Sequence, residues 1–450
     1  YADVTLRRDQ SSTLPVNNNV YFYPSVGGSF LFSELIKPNP ILSFGKLRAS
    51  WAQVGSDADP FMLDLNYIMT DKTFGNYSTG YISTGTIPNK DLKPSKTNSF
   101  EIGVDLKFLN NRIGLDFTYY KQNSNNQIMN VATSVTSGYG TKLINAGEIE
   151  NSGVEIALNT TPVQTKDFSW DFNFNFSNNS NKVKSLSTGI ESLELAAARW
   201  LGVKVLAVPG EEYGVIMGQD FLRNEQGDVI INADSGLPEI TSDMKKLGKA
   251  TWDWTGGLTT TFRYKQFTLS AIFDIKVGAD IYSMTARGLA KSGKAAYTVR
   301  GRDEWHKSEE QRLEAGVAEG NWQSTGGYVA EGVVKQVDAA GNVSWVKNTK
   351  AIAPYDYWGY ICDKTASPFI YDNSYVKMRE LTFGYTFPKK LIERYVESLS
   401  VSFVARNPFI IYKNVPNIDP DSNYNTSAIG LEYGSLPSRR SFGLNVNIKF

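Results

Sequence analysis

SRRSFGLNVNIKF, residues 438–450, alternates without a break. Phe442, Leu444, Val446, Ile448 and Phe450 share one parity, and Ser441, Gly443, Asn445, Asn447 and Lys449 share the other. Successive side chains of a strand point to opposite faces, so one face here is apolar and the other polar. A soluble sheet gives this pattern with its apolar face on a core. A barrel in an outer membrane gives it inverted, the apolar face in lipid and the polar face on a wet lumen. One strand does not separate the two. The number of strands and the connections between them do.

Alternation of this kind recurs about twelve times, each segment near the ~9–11 residues that a tilted membrane strand needs. The segments lie near 1–8, 24–34, 44–55, 96–108, 111–122, 144–160, 167–181, 250–264, 266–280, 373–387, 397–412 and 438–450. Phe100, Ile102, Val104, Leu106 and Phe108 alternate with Glu101, Gly103, Asp105 and Lys107. Phe168, Trp170, Phe172, Phe174 and Phe176 alternate with Ser169, Asp171, Asn173 and Asn175. Near Arg379 and Glu380 the phase slips by one, from Val376 and Met378 to Leu381, Phe383 and Tyr385, which predicts a β-bulge.

The connections alternate too. Asn110 and Asn111, or Lys265 and Gln266, suffice for short turns, whereas long connections fall near 55–95, 123–143, 182–249, 281–372 and 413–437. Outer-membrane barrels place short turns on the periplasmic side and long loops outside the cell. The polar faces fix the sign of the inversion. Asp105, Asp116, Asp171, Asn173, Asn175, Arg263, Asp274 and Lys449 would lie in a dry core if the sheet were soluble, and unpaired buried charge is costly. On a wet lumen they cost little. The residues predict an all-β, antiparallel transmembrane β-barrel.

Composition agrees. The 46 Lys+Arg balance 46 Asp+Glu, leaving no basic footprint for nucleic acid. One Cys (Cys362) excludes an internal disulfide, and with one His (His306) it cannot furnish a four-ligand zinc site. The 24 Tyr, 24 Phe and 9 Trp suit an aromatic-rich β chain. No stretch reaches the roughly 18 apolar residues of a membrane helix; the nearest, 195–209, is broken by Arg199, Gly202 and Lys204. Tyr1 already lies in an alternating segment (Ala2, Val4, Leu6), which predicts a mature fragment or the C-terminal part of a longer chain.

Several stretches resemble the SusC/RagA family of TonB-dependent outer-membrane transporters, in order and spacing, over nearly the whole chain. They are PSVGGSFLFSE (24–34), KLRASWAQVG (46–55) and NKDLKPSKTNSFEIGVDLKFLNNRIGLDFTYYK (89–121). NAGEIENSGVEIAL (145–158), PGEEYGVIMGQDF (209–221) and SYVKMRELTFGYTFP (374–388) follow, then NPFIIYKNVPNIDPD (407–421) and PSRRSFGLNVNIKF (437–450). The resemblance implies the C-terminal half of a barrel of roughly 22 strands, an N-terminal plug absent from this chain, and residence in the outer membrane. It also implies a SusD-like surface lipoprotein as lid, energy delivered through TonB by way of the missing N-terminal part, and import of an oligosaccharide or oligopeptide. In barrels that it resembles, a final strand ending in an aromatic residue is read by the insertion machinery; Phe442, Leu444, Val446, Ile448 and Phe450 supply that signal here. A passive porin, a barrel enzyme and a soluble glycan-binding β protein stay open as alternatives.

Candidate contact residues cluster in YDYWGY, residues 355–360. Tyr355, Tyr357, Trp358 and Tyr360 offer faces that stack on sugar rings or peptide side chains, or on a lid protein, at low entropic cost. Trp200, Trp305, Trp322 and Trp345 are further loop aromatics, while Trp252 and Trp254 suit an interfacial girdle. DPDSNYN (419–425) spaces oxygen ligands alternately, but Tyr424 and Gly430 stand where a calcium loop needs Gly and Glu, so a turn-rich loop is expected. The acids of 218–239 have no defined spacing for glycoside hydrolysis, and His306 lacks a recognisable nucleophile motif. The sequence predicts no enzyme, cofactor or metal. RGRDEWHKSEEQRLEAG (300–316) predicts a short exposed helix with Glu309 or Glu310 near Arg312.

Overall fold

The computed structural model describes residues 1–36, 41–82, 85–187, 189–198, 202–422 and 429–450. Twelve long strands form one antiparallel sheet, each paired with its neighbour in sequence. They are β1 (Ala2–Gln10), β2 (Val20–Phe30), β3 (Leu42–Ser56), β4 (Ser95–Phe108), β5 (Ile113–Ala132) and β6 (Thr141–Gln164). β7 (Phe168–Ser185), β8 (Trp254–Tyr264), β9 (Phe267–Val277), β10 (Tyr375–Thr386), β11 (Ser398–Lys413) and β12 (Ser441–Lys449) complete the path. Thr86–Ile87 adds a short parallel strand beside Thr141 and Lys142 of β6. Among the described residues β1 and β12 pair with one neighbour each, so the sheet is open along those two edges.

Each alternating segment of the sequence corresponds to one of these strands. The exposed apolar side chains follow the predicted parity: Phe442, Leu444, Val446 and Ile448 of β12, Phe100 and Ile102 of β4, Leu269 of β9 and Phe383 of β10. Their exposure marks a face suited to lipid, because large contiguous apolar surface is uncommon on a soluble monomer. The bulge is also present. Glu380 opposes Ile272 and Met378 opposes Phe273, leaving Arg379 as the extra residue between them.

The opposite face is polar and internally paired. Arg48 of β3 reaches across β4 to Asp116 of β5, with Nη1 donating at 2.8 Å and Nη2 at 2.5 Å. Gly103 makes that reach possible: a Cβ there would stand 2.8 Å from the Arg48 guanidinium carbon. Asp171 pairs with Arg263 and accepts from Thr161 at 2.8 Å, and Asp274 pairs with Arg379. Charges that a dry core would penalise thus neutralise one another along a wet wall.

Turns at one end are tight where the residues permit it. Leu109, Asn110 and Asn111 take φ of 54°, 57° and 65° between β4 and β5, a region that asparagine enters more readily than most residues. Lys265, at φ 51°, and Gln266 join β8 to β9. The connection near 123–143 is shorter than the sequence suggests. β5 runs on to Ala132 and β6 begins at Thr141, with the ladder intact from Gln127 opposite Ala146 to Ala132 opposite Thr141. Asn123, Ser124, Asn125 and Asn126 end the apolar alternation. The backbone ladder does not need that alternation once no lipid has to be met, so strand outlasts pattern.

The long connections are folded. Residues 57–94 carry a hairpin, Tyr67–Phe74 with Tyr77–Ile82. Residues 186–253 hold a four-stranded sheet of Leu193–Ala197, Lys204–Ala207, Val215–Gly218 and Lys245–Lys249. Residues 278–374 hold helices α1 (Met284–Lys291), α2 (Arg302–Glu314) and α3 (Pro354–Lys364) and a hairpin, Val333–Val337 with Val343–Lys347. The helix expected over 300–316 is α2, and Arg312 meets Glu309 at 2.9 Å one turn back.

Candidate functional site

Three long connections, 186–253, 278–374 and 414–440, share one hydrophobic core at the end of the sheet opposite the tight turns. Val203, Val205 and Ile216 come from the first, Tyr282, Ala286, Tyr357, Ile361 and Phe369 from the second, and Leu431 from the third. Strand pairing adds to the packing: Asp280–Ser283 lies between Ile370–Asp372 and Leu431–Glu432. Glu432 is fully buried at the start of α1. It accepts from the Ser283 hydroxyl at 2.9 Å, the Thr285 hydroxyl at 2.8 Å and the Thr285 backbone N–H at 3.1 Å. A carboxylate at a helix N-terminus meets unpaired N–H groups and the positive end of the dipole. The loops therefore form one packed hub.

The hub is tied to the wall by a buried ionic network that the sequence does not announce. Lys377 of β10 is 1% exposed. Its ammonium donates to both Asp419 oxygens at 3.0 Å and to Asp421 at 2.7 Å. Arg379 bridges Asp421 and Asp274, and the Tyr375 hydroxyl donates to Asp421 at 2.8 Å. Burial pushes the Asp421 carboxyl up, but hydrogen bonds from Arg379, Lys377 and Tyr375 outweigh it and hold that carboxyl below its ordinary range. Asp419 and Asp421 are thus spent on the two strand cations rather than presented to a metal. Residues 423–425 of the same motif lie outside the described residues. Among the described residues no group of three His, Cys, Asp or Glu side chains could hold a metal ion.

The predicted aromatics separate by location. YDYWGY is helical, lying in α3, whose first residue, Pro354, has its φ preset for a helix start. Tyr357 points into the hub, its ring 4.2 Å from that of Tyr328 and 5.0 Å from that of Trp358. That placement makes it a packing residue rather than a contact residue, because a ring in a core has no free face to offer. Tyr355 is 67% exposed, and Trp358 and Tyr360 are half-buried. Trp322 donates its indole N–H to Ser308 at 3.0 Å, and Trp345 lies on the outer hairpin. Trp252 packs edge-on against Tyr375 at 5.9 Å, and Trp254 lies 5.5 Å from Phe176. Trp200 lies outside the described residues.

A cleft of about 430 Å³ opens between the three helices, lined by Lys291, Arg302, Trp305, His306, Tyr355 and Trp358 among others. Three of its aromatics, Trp305, Tyr355 and Trp358, stand out in the sequence, but their convergence does not, because it depends on how α1, α2 and α3 pack. The Cys362 thiol is buried and pushed up to about 11 by desolvation, which leaves it inert as a nucleophile. Asparagines organise the turns of 218–239: the Asn224 side chain accepts from the Asp228 backbone at 2.8 Å, and that of Asn232 accepts from the Ser235 backbone at 2.9 Å.

Comparison with known proteins agrees with this architecture. The sequence profile described as TonB dependent receptor-like, beta-barrel matches residues 2–407. TonB-dependent receptor P3 of Formosa agariphila is 26% identical over 479 aligned residues, covering 99% of this chain and 43% of its own length. TonB-dependent receptor SusC of Bacteroides thetaiotaomicron is 30% identical over 197 aligned residues, covering 42% of this chain and 20% of its own. The chain thus spans less than half the length of these relatives. The structure of the RagAB peptide transporter superposes over 100% of this chain and 46% of its own, with a TM-score of 0.72 at 20% identity. A twelve-stranded up-and-down sheet with lipid-suited and lumen-suited faces, matched along nine-tenths of its length by one profile, belongs to the TonB-dependent receptor-like β-barrel family.

Proposed function

We propose that this chain forms part of the wall and much of the extracellular funnel of an outer-membrane importer that takes up an oligomeric nutrient, oligosaccharide or oligopeptide. A SusD-like surface lipoprotein closes over the loop hub, and TonB supplies the energy through a plug-bearing portion of the protein outside this sequence. The observation that supports this reading best is the packed hub. Three long connections share a core and are pinned to β10 by Lys377 and Arg379, a construction suited to holding a ligand and a lid in fixed relation to the lumen. The likeness to SusC and to the RagAB transporter supports the same reading. The chain's own residues form the wall, neutralise the lumen charges and shape the mouth; no chemical step is assigned to them.

Uptake by cells carrying the full-length protein tests the proposal. Import of a labelled oligomer should require the protein, cease when an uncoupler collapses the inner-membrane proton gradient, and fall when the lipoprotein partner is deleted. Uptake indifferent to the uncoupler would replace this reading with a passive pore. Hydrolysis of the oligomer by purified protein would point instead to a barrel enzyme.

A further inference from the structure

We infer that the cleft between α1, α2 and α3 binds an acidic oligosaccharide, with Arg302 receiving the carboxylate of a uronic acid unit and the walls of Trp305, Trp358 and Tyr355 receiving the flat faces of the sugar rings. This names a substrate class for the importer and so rests on that reading.

The charge of the cleft is one-sided. Lys291 and Arg302 line it, and no acidic residue does. Lys291 is already engaged by Asp363 at 2.5 Å. Arg302 is different. Its Nε donates to the Thr298 carbonyl at 3.0 Å, and one Nη donates to the Gly293 carbonyl at 2.7 Å and the Thr298 hydroxyl at 2.8 Å. These three bonds fix the guanidinium plane, yet among the described residues it meets no carboxylate. With Nε and one Nη spent on those bonds, the other Nη remains, and from a half-buried guanidinium held in place it can give an anion a charge-assisted hydrogen bond. Asp356, Glu319 and Glu309 are felt by Tyr355, but none of them forms the cleft wall.

The aromatic walls choose the rest of the ligand. Trp305 and Trp358 bring two indoles to one cleft, with the exposed Tyr355 ring beside them. Peptides are commonly read along a free strand edge or as a helix in an apolar groove. The cleft provides neither, since helix ends build it. A sugar ring offers an apolar C–H face for stacking and edge hydroxyls for the polar rim, and a uronate adds the carboxylate that Arg302 lacks. The volume of about 430 Å³ lies within the range of small-ligand sites, roughly 300–1,000 Å³.

The test uses the full-length protein in detergent, with a galacturonate trimer as probe and the neutral galactose trimer as control, followed by calorimetry. The uronate trimer should bind, weaken as salt is raised, and bind at least about tenfold less tightly to Arg302→Gln, since a charge-assisted hydrogen bond is lost. Trp305→Ala, which leaves the guanidinium bonds in place, should also weaken binding, and it keeps the test valid if Arg302→Gln disturbs the helix start. Uronate affinity unchanged in both variants, or equal affinity for the neutral trimer, overturns the inference. Arg302-dependent binding of a tripeptide with no binding of the uronate overturns the sugar assignment. Cellular uptake measured in parallel separates the two readings: energised import of some other oligomer without uronate binding defeats the cleft alone, whereas absence of energised import defeats the importer.

Discussion

The Lys377 ammonium and the Asp419 carboxylate, 42 residues apart in the chain, meet at 3.0 Å with the lysine side chain 1% exposed. The contact joins a strand of the wall to the last long connection before β12. Removing one member of a buried pair strands the other in a dry site, which costs about 3–5 kcal/mol. Lys377→Met should therefore destabilise the full-length protein by roughly that amount in detergent unfolding. Adding Asp419→Asn should recover part of the loss, because the coupled groups are not additive. Equal and additive losses would show that the pair does not act as a unit.

The same network sets an acid limit. The folded-state values of Asp419 and Asp421 are both depressed, burial opposing and hydrogen bonds prevailing. Their contribution is fully present above the unfolded carboxyl value of about 3.9 and is lost as pH falls through the folded values. Protection of 414–422 and 429–440 from protease should hold from about pH 7 to about pH 5 and decline below about pH 4. Loss of protection between pH 7 and 5 would place the control elsewhere.

The two faces of the sheet should respond differently to charge. Arginine at Phe172 or Leu444, on the lipid-suited face, should destabilise by about 2–4 kcal/mol if the site lies near mid-membrane. Arginine at Asn173, one position along β7, should be tolerated because its environment is wet. Equal sensitivity at neighbouring positions would argue against a lipid face.

Much of this was legible in the sequence because period-two alternation is enforced residue by residue when one face meets lipid. The bulge at Arg379 could be read for the same reason: an extra residue shifts every later side chain to the other parity. The far end of β5 could not, since Asn123–Asn125 pair in the ladder without an apolar face to reveal them. Tyr357 and Trp358 are adjacent in sequence and look equivalent. Only the packing of α3 against the hub separates the buried ring from the one that lines the cleft. The Lys377 network joins residues about forty positions apart, and no local pattern encodes such a meeting.

If the full-length protein ends at Phe450, this exposed ring should matter before the barrel exists. Deleting it removes at most about 1.5–3 kcal/mol of burial, which a finished barrel with many paired strands survives. If the terminal strand is read by the insertion machinery, deletion will lower the amount of protein inserted in cells far more than the melting temperature of the protein that does insert. Normal insertion with a small loss of thermal stability would reduce Phe450 to an interfacial anchor.

The orientation of the sheet carries the whole account, and surface labelling measures it directly. Epitopes placed in the full-length protein at 57–94, 186–253 or 278–374 should be reached by antibody on intact cells. Epitopes at Asn110 or Gln266 should be reached only after the outer membrane is opened. Labelling at Asn110 or Gln266 on intact cells, with the 278–374 connection protected, would contradict the account.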